Sequence, residues 1–245
     1  MSMKRLIGLE WYKLIRSRLF WGILAYMVLV TVFFLNGGAE ELEGWPAMGK
    51  EVLSFVNGPA WFVFPVYIEF IYAAVLLFDF RSGYIKDMIT YGYSKNTIYL
   101  SRYAGFAIGS VILNLVFPVQ IFAMVTAQNG YGEPVGGKTV LYLAGMLILM
   151  ILQYIVLAGI VFAIMFVVKN VLAVIFGLFF INFFMVMLSV SRPEILKWTI
   201  FGVGLEFGEF SFTPAAVLKI FVVFACALAA GFGVGIPLFN RHEWK

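Results

Sequence analysis

The sequence predicts an all-α integral membrane protein in which residues 1–245 form a single transmembrane domain. Hydrophobic residues make up 63% of the chain and charged residues only 12%, whereas a soluble domain carries about 25% charged residues. The apolar residues form long unbroken runs and do not alternate with polar ones, which is typical of membrane helices and not of barrel strands. Both observations indicate that lipid surrounds most of the chain.

Six apolar runs have approximately the ~20-residue length that a helix needs to cross a bilayer. They are residues 19–35, 59–78, 103–127, 140–168, 171–190 and 215–239. The connection 191–214 is rich in Phe and Gly, so we expect it to fold back onto the membrane. Two pairs of small residues, Gly105 with Gly109 and Gly231 with Gly235, predict close packing between helices.

Lysine and arginine residues are distributed unevenly among the segments that connect these runs. They concentrate before the first run and between the second and third, whereas the segment after the first run carries four glutamates and one lysine. Because cytoplasmic loops are enriched in basic residues, both termini are predicted to be cytoplasmic. The net charge of +4 is therefore attributed to membrane orientation, and no nucleic-acid partner is predicted.

Residues 3–18 are predicted to form an amphipathic helix that lies in the membrane interface ahead of the first span. One face of its helical wheel is apolar: Ile7, Trp11, Leu14 and Ile15. The opposite face is polar and carries two basic residues: Glu10, Lys13, Arg16 and Ser17. This pattern is typical of helices that bind membrane lipid, with Trp11 on the lipid side and Lys13 and Arg16 on the wet side.

A second amphipathic helix is predicted in the basic segment between the second and third runs. Its apolar residues recur at helical spacing and form one stripe: Tyr84, Ile85, Met88 and Ile89. Gly92 offers a C-terminal stop for this helix, and Ser94 offers an N-cap for the helix that follows.

Glu69 is an ionisable residue near the middle of the second apolar run. A carboxyl group at that depth is costly unless it is neutral or paired, so intramembrane acids are candidates for functional sites. Two roles remain open for Glu69. It is either a charge with a functional role, or the acceptor of a structural hydrogen bond from Asn114, Gln153 or Asn182.

Several kinds of catalytic or ligand site are excluded by the sequence. Residues 132–139 match the phosphate-binding pattern G-x-x-x-x-G-K-[ST], but that motif needs the strand, loop and helix of a soluble domain, and here it falls in a turn between two spans. The chain has one histidine, His242, and one cysteine, Cys226, so no paired-histidine metal site and no intrachain disulfide can form. No catalytic residue, metal or cofactor is predicted in this chain.

Two stretches of sequence resemble the permease subunits of the type-2 ABC transporter family. Residues 10–21, EWYKLIRSRLFW, are similar to the family's amphipathic entry helix, and residues 79–96, DFRSGYIKDMITYGYSKN, are similar to its loop after the second span. Within that loop Asp79 stands where Glu is common and Lys95 where Arg is common. The basic ending at 239–243 is also similar to the family's usual tail.

The resemblance implies a permease that works as a homodimer or with a sister permease, bound to ABC ATP-binding subunits that hold the ATP and Mg. It implies that the segment 83–91 is the coupling helix, with the ATPase contacted by a set of small and apolar residues: Gly83, Tyr84, Ile85, Met88 and Ile89. The chain's size resembles that of small exporters that confer lantibiotic immunity or peptide resistance. A multi-pass location in the bacterial plasma membrane is therefore expected.

Two other classes of protein compete with the exporter. A substrate-capture subunit of a vitamin importer would also be a small helical bundle without ATPase motifs, and a tightly bound vitamin would distinguish it. An intramembrane enzyme acting on lipid would need clustered acids or histidines at the interface. The pair Glu206 and Glu209 satisfies that requirement weakly.

Overall fold

The computed structural model describes residues 3–36, 45–56, 66–69, 71–73, 84–168, 176–177, 180, 183–184, 186–188, 190–200, 202 and 213–241. All regular structure within these ranges is helical. The helices are α1 (Met3–Arg16), α2 (Arg18–Asn36), α3 (Gly49–Val56), α4 (Tyr84–Thr90), α5 (Lys95–Asn129), α6 (Gly137–Val168), α7 (Pro193–Leu196) and α8 (Pro214–Arg241). Further helical residues lie at 66–69 and 71–73 and at several positions between 176 and 191.

Four of the six predicted spans coincide with long helices. Three helices are long and apolar enough to cross a membrane, namely α5, α6 and α8, and the bent pair α1 and α2 makes a fourth candidate. The predicted spans 59–78 and 171–190 lie mostly outside the described residues. The helix α5 begins at Lys95, eight residues before the predicted third span, because Ser94 caps it there: the Thr97 amide donates to Ser94 Oγ at 3.3 Å.

The predicted interfacial helix and first span correspond to two helices with a sharp bend between them, and their positions relative to the membrane stay predictions. The axes of α1 and α2 differ by 58°, and the break falls at Ser17. The Ser17 Oγ accepts a hydrogen bond from the Phe20 amide, 3.2 Å away, which caps the new helix at its first turn. The Trp21 indole then donates to the Ile15 carbonyl and holds the bend.

The helix α5 is the centre of the bundle, since α1, α2, α3 and α6 all pack against it. The helix α8 packs chiefly against α6, where a Cβ atom on Gly231 would lie 3.1 Å from the Gly159 carbonyl oxygen. A Cβ atom on Gly235 would meet the Tyr99 ring of α5. The predicted close packing at these glycines is therefore confirmed. One edge-to-face contact, between Tyr103 of α5 and Phe232 of α8, also joins α8 to α5.

The helices define two opposite faces of the bundle. The α4 face carries α1, α4, the first turn of α5 and the last turn of α8, because Lys95 Nζ donates to the Asn240 carbonyl at 2.8 Å. The α3 face carries α3 and the turn between α5 and α6, because the Gly49 amide donates to the Gly130 carbonyl at 3.1 Å. Residues 66–69 and 71–73 run antiparallel to α5, since Glu69 contacts Asn114 and Tyr72 stacks on Phe106.

The segment around α7 reaches the interior of the bundle. Gln153, in the middle of α6, donates a hydrogen bond from Nε2 to the Ile200 carbonyl at 2.8 Å, and both Leu196 and Ile200 are buried. The Lys219 ammonium lies 4.4 Å from the centroid of the Trp198 ring. The described part of this connection therefore packs against the bundle, and its position on the membrane stays a prediction.

Candidate functional site on the α4 face

The helix α4 ends and the helix α5 begins as the sequence predicts. Gly92 has a positive φ of 84°, and its amide donates to the Ile89 carbonyl at 2.9 Å while the Tyr93 amide donates to the Met88 carbonyl at 3.2 Å. These bonds satisfy the last carbonyls of α4 in the manner of a glycine C-cap. With Ser94 capping α5, the turn between the two helices is fixed at both ends.

The apolar stripe of α4 faces inward, which corrects the orientation expected from the sequence. Ile85 and Met88 are 1% and 4% exposed, and Ile89 packs against the same core. A stripe buried within its own chain cannot fill a groove on a partner. Gly83 lies outside the described residues, and of Tyr84 only the helical backbone is described.

The surface that α4 offers to a partner is instead polar and aromatic. Lys86, Asp87, Thr90 and Tyr91 are all exposed, and Tyr91 is 73% exposed. The buried stripe anchors this surface to the rest of the chain. A short helix that is anchored on its apolar side and exposed on its charged side can bind a soluble partner without losing its position.

The interfacial helix α1 also packs differently from the helical-wheel expectation. Its buried side chains are Leu6, Glu10 and Leu14, so Glu10 lies on the packed face and not on the wet side. Trp11 is 43% exposed, as expected for a residue on lipid. Arg16 is exposed and lies over the Tyr12 ring, 4.7 Å from its centroid.

Glu10 is buried because it pairs with Arg102 of α5. Arg102 Nε lies 3.3 Å from Glu10 Oε1, and Arg102 donates from a terminal nitrogen to Glu10 Oε2 at 3.3 Å. The two side chains are only 7% and 2% exposed. A Cβ atom on Gly105 would lie 2.7 Å from Glu10 Cβ, so this glycine lets α1 approach α5 closely.

The sequence contained a signal for this pair that the helical-wheel assignment missed. Glu10 stands four residues from both Leu6 and Leu14, and these positions share one face of a helix. Lys13 is half-buried at the edge of the same face. An acid within an apolar stripe that packs on another helix predicts a buried basic partner, which is Arg102.

The last turn of α8 completes the α4 face. Lys95 donates to the Asn240 carbonyl, and the Asn240 side chain donates to Asn96 Oδ1 at 2.7 Å. A lysine at the C-terminal end of a helix also complements the helix dipole. The elements α1, α4 and α8 are thus all attached to the first two turns of α5.

The phosphate-binding pattern at 132–139 lies on the opposite, α3 face. It follows the helix α5 and runs into the first turn of α6, so the strand that the motif requires does not precede it. Its Glu133 forms a 2.7 Å ion pair with Lys50, and this hydrogen bond and charge raise the pKa of Lys50 above its ordinary value. The ion pair holds α3 against the turn.

An apolar pocket opens between α3, α5 and α6 on the α3 side of the bundle. Its volume is about 200 Å³. Its lining residues are all apolar: Leu53, Leu115, Pro118, Val119, Phe122, Leu143, Leu147 and Met150. Val119 and Leu147 are about half exposed, so the pocket opens to the outside of the bundle.

Acidic and metal-binding side chains do not cluster in the part of the chain that the structure describes. Within it, no three His, Cys, Asp or Glu residues stand close enough to hold a metal ion. The sequence-predicted pair Glu206 and Glu209 lies outside the described residues. Glu69 is buried beside Asn114, which is one of the three partners that the sequence suggested.

The fold is that of an α-helical membrane protein with three to four candidate membrane-spanning helices in the part that the structure describes. The sequence matches the family model described as ABC-2 family transporter protein over residues 6–189. Because this match covers most of the chain, the protein belongs to the ABC-2 transporter family and is a permease-type membrane subunit of an ABC transporter. This membership implies association with an ABC ATP-binding subunit, usually as a dimer. A comparison with curated proteins gives no match.

Proposed function

We propose that this chain is the membrane-spanning permease of an ATP-driven exporter that moves an amphipathic substrate, such as a peptide, drug or lipid-like molecule, across the bacterial plasma membrane. A separate ATP-binding subunit supplies ATP hydrolysis and holds the ATP and Mg. A second permease, identical or a sister subunit, completes the transporter. The observation that carries this proposal is the anchored, charged helix α4, together with the family membership.

The α4 face is the proposed cytoplasmic face. Its described elements are rich in basic residues, including Arg5, Arg16 and Arg18 on the entry helices and Lys86 on α4. Basic residues mark the cytoplasmic side of membrane proteins. On this face the exposed residues of α4 form the docking surface for the ATPase.

The fixed connections of α5 support a route from the ATPase to the spans. A movement of α4 is passed to α5 through the turn at Gly92 and through the buried side chains of Ile85 and Met88. Since α1 and α8 are bonded to the same end of α5, they follow it. Helices that are packed and hydrogen-bonded to one another in this way move as units.

The apolar pocket supports a cargo with an apolar part. Its described lining consists of apolar side chains, and it opens to the outside of the bundle. Such a pocket favours an acyl chain or an apolar side chain over a polar solute. A substrate that is already partitioned into the membrane reaches it laterally.

A charge-reversal experiment tests the docking surface. Lys86→Glu changes an exposed residue of α4, so the permease is expected to insert and fold normally but to lose most of the ATP-binding subunit that co-purifies with the tagged chain. Lys138→Glu is the matched control, because it makes the same change at an exposed residue of the α3 face. Loss of the subunit with Lys138→Glu and its retention with Lys86→Glu would reverse the assignment of the two faces.

Substitution of the buried stripe, Ile85→Glu with Met88→Glu, would not discriminate between a loss of docking and a loss of folding. Both positions are buried, and two carboxylates placed there would destabilise the permease itself. Substitution of the exposed side of α4 avoids this ambiguity.

A further inference from the structure

Glu69 and Asn114 form a buried polar pair deep in the bundle. Asn114 lies near the middle of the 35-residue helix α5, and the two side chains are 0% and 1% exposed. Asn114 donates a hydrogen bond from Nδ2 to Glu69 Oε1, 3.1 Å away. The same Nδ2 lies 3.4 Å from Ser110 Oγ one turn earlier on α5.

One oxygen of each group remains without a partner. Glu69 Oε2 and Asn114 Oδ1 are both buried, and neither has a hydrogen-bond partner among the residues that the structure describes. An ionised carboxylate can only accept hydrogen bonds. Ionised Glu69 would therefore leave its own Oε2 and the Asn114 Oδ1 without partners, and it would place a net charge in hydrocarbon. A protonated carboxyl group has an O–H donor at one oxygen and an acceptor at the other, which matches the acceptor and donor of a primary amide.

The surroundings of Glu69 favour the neutral form. Described titratable side chains in electrostatic range are the phenols Tyr103 on α5 and Tyr154 on α6, which carry no positive charge. The buried cation of α5, Arg102, is paired with Glu10. Tyr72, on the same segment as Glu69, stacks on Phe106 with ring centroids 5.1 Å apart.

We propose that Glu69 is a proton-binding site. Its carboxylic acid donates from Oε2 to Asn114 Oδ1 and accepts from Asn114 Nδ2 at Oε1, so that acid and amide share two hydrogen bonds. This pair fastens the segment 66–73 to α5 in the interior of the membrane. The proton is held in place and is not exchanged during transport, so Glu69 acts as a structural acid and not as a functional charge.

Infrared spectroscopy of the purified full chain tests the protonation state directly. At neutral pH the wild-type protein is expected to show the C=O absorption of a protonated carboxylic acid, and Glu69→Gln is expected to lack it. Glu69→Asp should shift the band, which assigns it to this position. A wild-type spectrum without any band that Glu69→Gln removes would overturn the proposal.

Stability measurements test the acid–amide pair independently. Glu69→Gln offers the same donor and acceptor as the neutral acid, so its thermal midpoint in detergent should match the wild type, whereas Glu69→Leu should lower it because Asn114 loses its partner. Glu69→Leu with Asn114→Leu removes both polar groups and should recover most of the loss. Equal destabilisation by Glu69→Gln and Glu69→Leu would contradict the pair.

The dependence on pH and on salt separates a proton from a metal cation. In the proposed pair the folded chain holds a proton on Glu69, whereas in the unfolded chain an exposed glutamate releases its proton above the ordinary pKa of about 4.3. The thermal midpoint of the wild type should therefore fall relative to that of Glu69→Gln as the pH rises. Replacing sodium chloride with choline chloride should leave the midpoint unchanged. A midpoint that depends on sodium and not on pH would show that Glu69 binds a cation in place of a proton.

Discussion

The ion pair between Glu10 and Arg102 is the residue-scale contact that holds the entry helix to the bundle. Both charges are buried, and removing one partner of a buried ion pair costs about 3–5 kcal/mol in pairs of this kind. We therefore expect Glu10→Leu to lower the thermal midpoint of the purified permease markedly. Fluorescence-detected unfolding in detergent measures the effect.

The matched double variant distinguishes the loss of an ion-pair partner from the loss of side-chain packing. Glu10→Leu with Arg102→Leu removes both charges and fills the space with hydrocarbon, which is often neutral or stabilising. It should be more stable than Glu10→Leu alone. If the double variant loses as much stability as the two single variants combined, the ion pair is not what holds α1 against α5.

Some of these residue-scale features could be predicted from the sequence alone. The partner of Glu69 was among three candidates because few polar residues occur within the apolar runs. The cap at Ser94 and the stop at Gly92 were predicted because such signals depend only on neighbouring residues. The pairing of Glu10 with Arg102 joins positions 92 residues apart, and a helical wheel considers one helix only.

At the scale of elements, the interface between α6 and α8 depends on small residues. A Cβ atom on Gly231 would crowd the Gly159 backbone, whereas one on Gly233 would meet nothing within 4 Å. Gly231→Val is therefore expected to cost about 1–3 kcal/mol, the range for overpacked interiors, and Gly233→Val to have little effect. Thermal unfolding of both variants measures the difference, and equal effects would refute the packing account.

The orientation of α4 was the element-scale feature that the sequence could not determine. The spacing of its apolar residues correctly predicted a helix with one apolar face. Such a face fits a partner's groove, a membrane surface or the chain's own core equally well. The packing of Ile85 and Met88 in the bundle decides between these. The face that remains exposed differs from the one that the resemblance implied.

At the scale of the whole molecule, apolar run length predicted four spans that the structure describes as helices. Run length predicts spans because a helix in lipid must satisfy its backbone hydrogen bonds internally and match the membrane thickness. Run length does not indicate which helices contact each other. The central position of α5 and the inward reach of residues 193–200 come from packing between residues distant in sequence.

The central claim about the whole molecule is that its α4 face binds the ATP-binding subunit in the cytoplasm. Cross-linking in native membranes tests this claim most directly, with Tyr91→Cys on the α4 face and Val135→Cys on the α3 face as its control. Both positions are well exposed, and a Cys226→Ala background removes the exposed native thiol. The account predicts a cross-link between the permease and the ATP-binding subunit from Tyr91→Cys and none from Val135→Cys; a cross-link from Val135→Cys alone would contradict it.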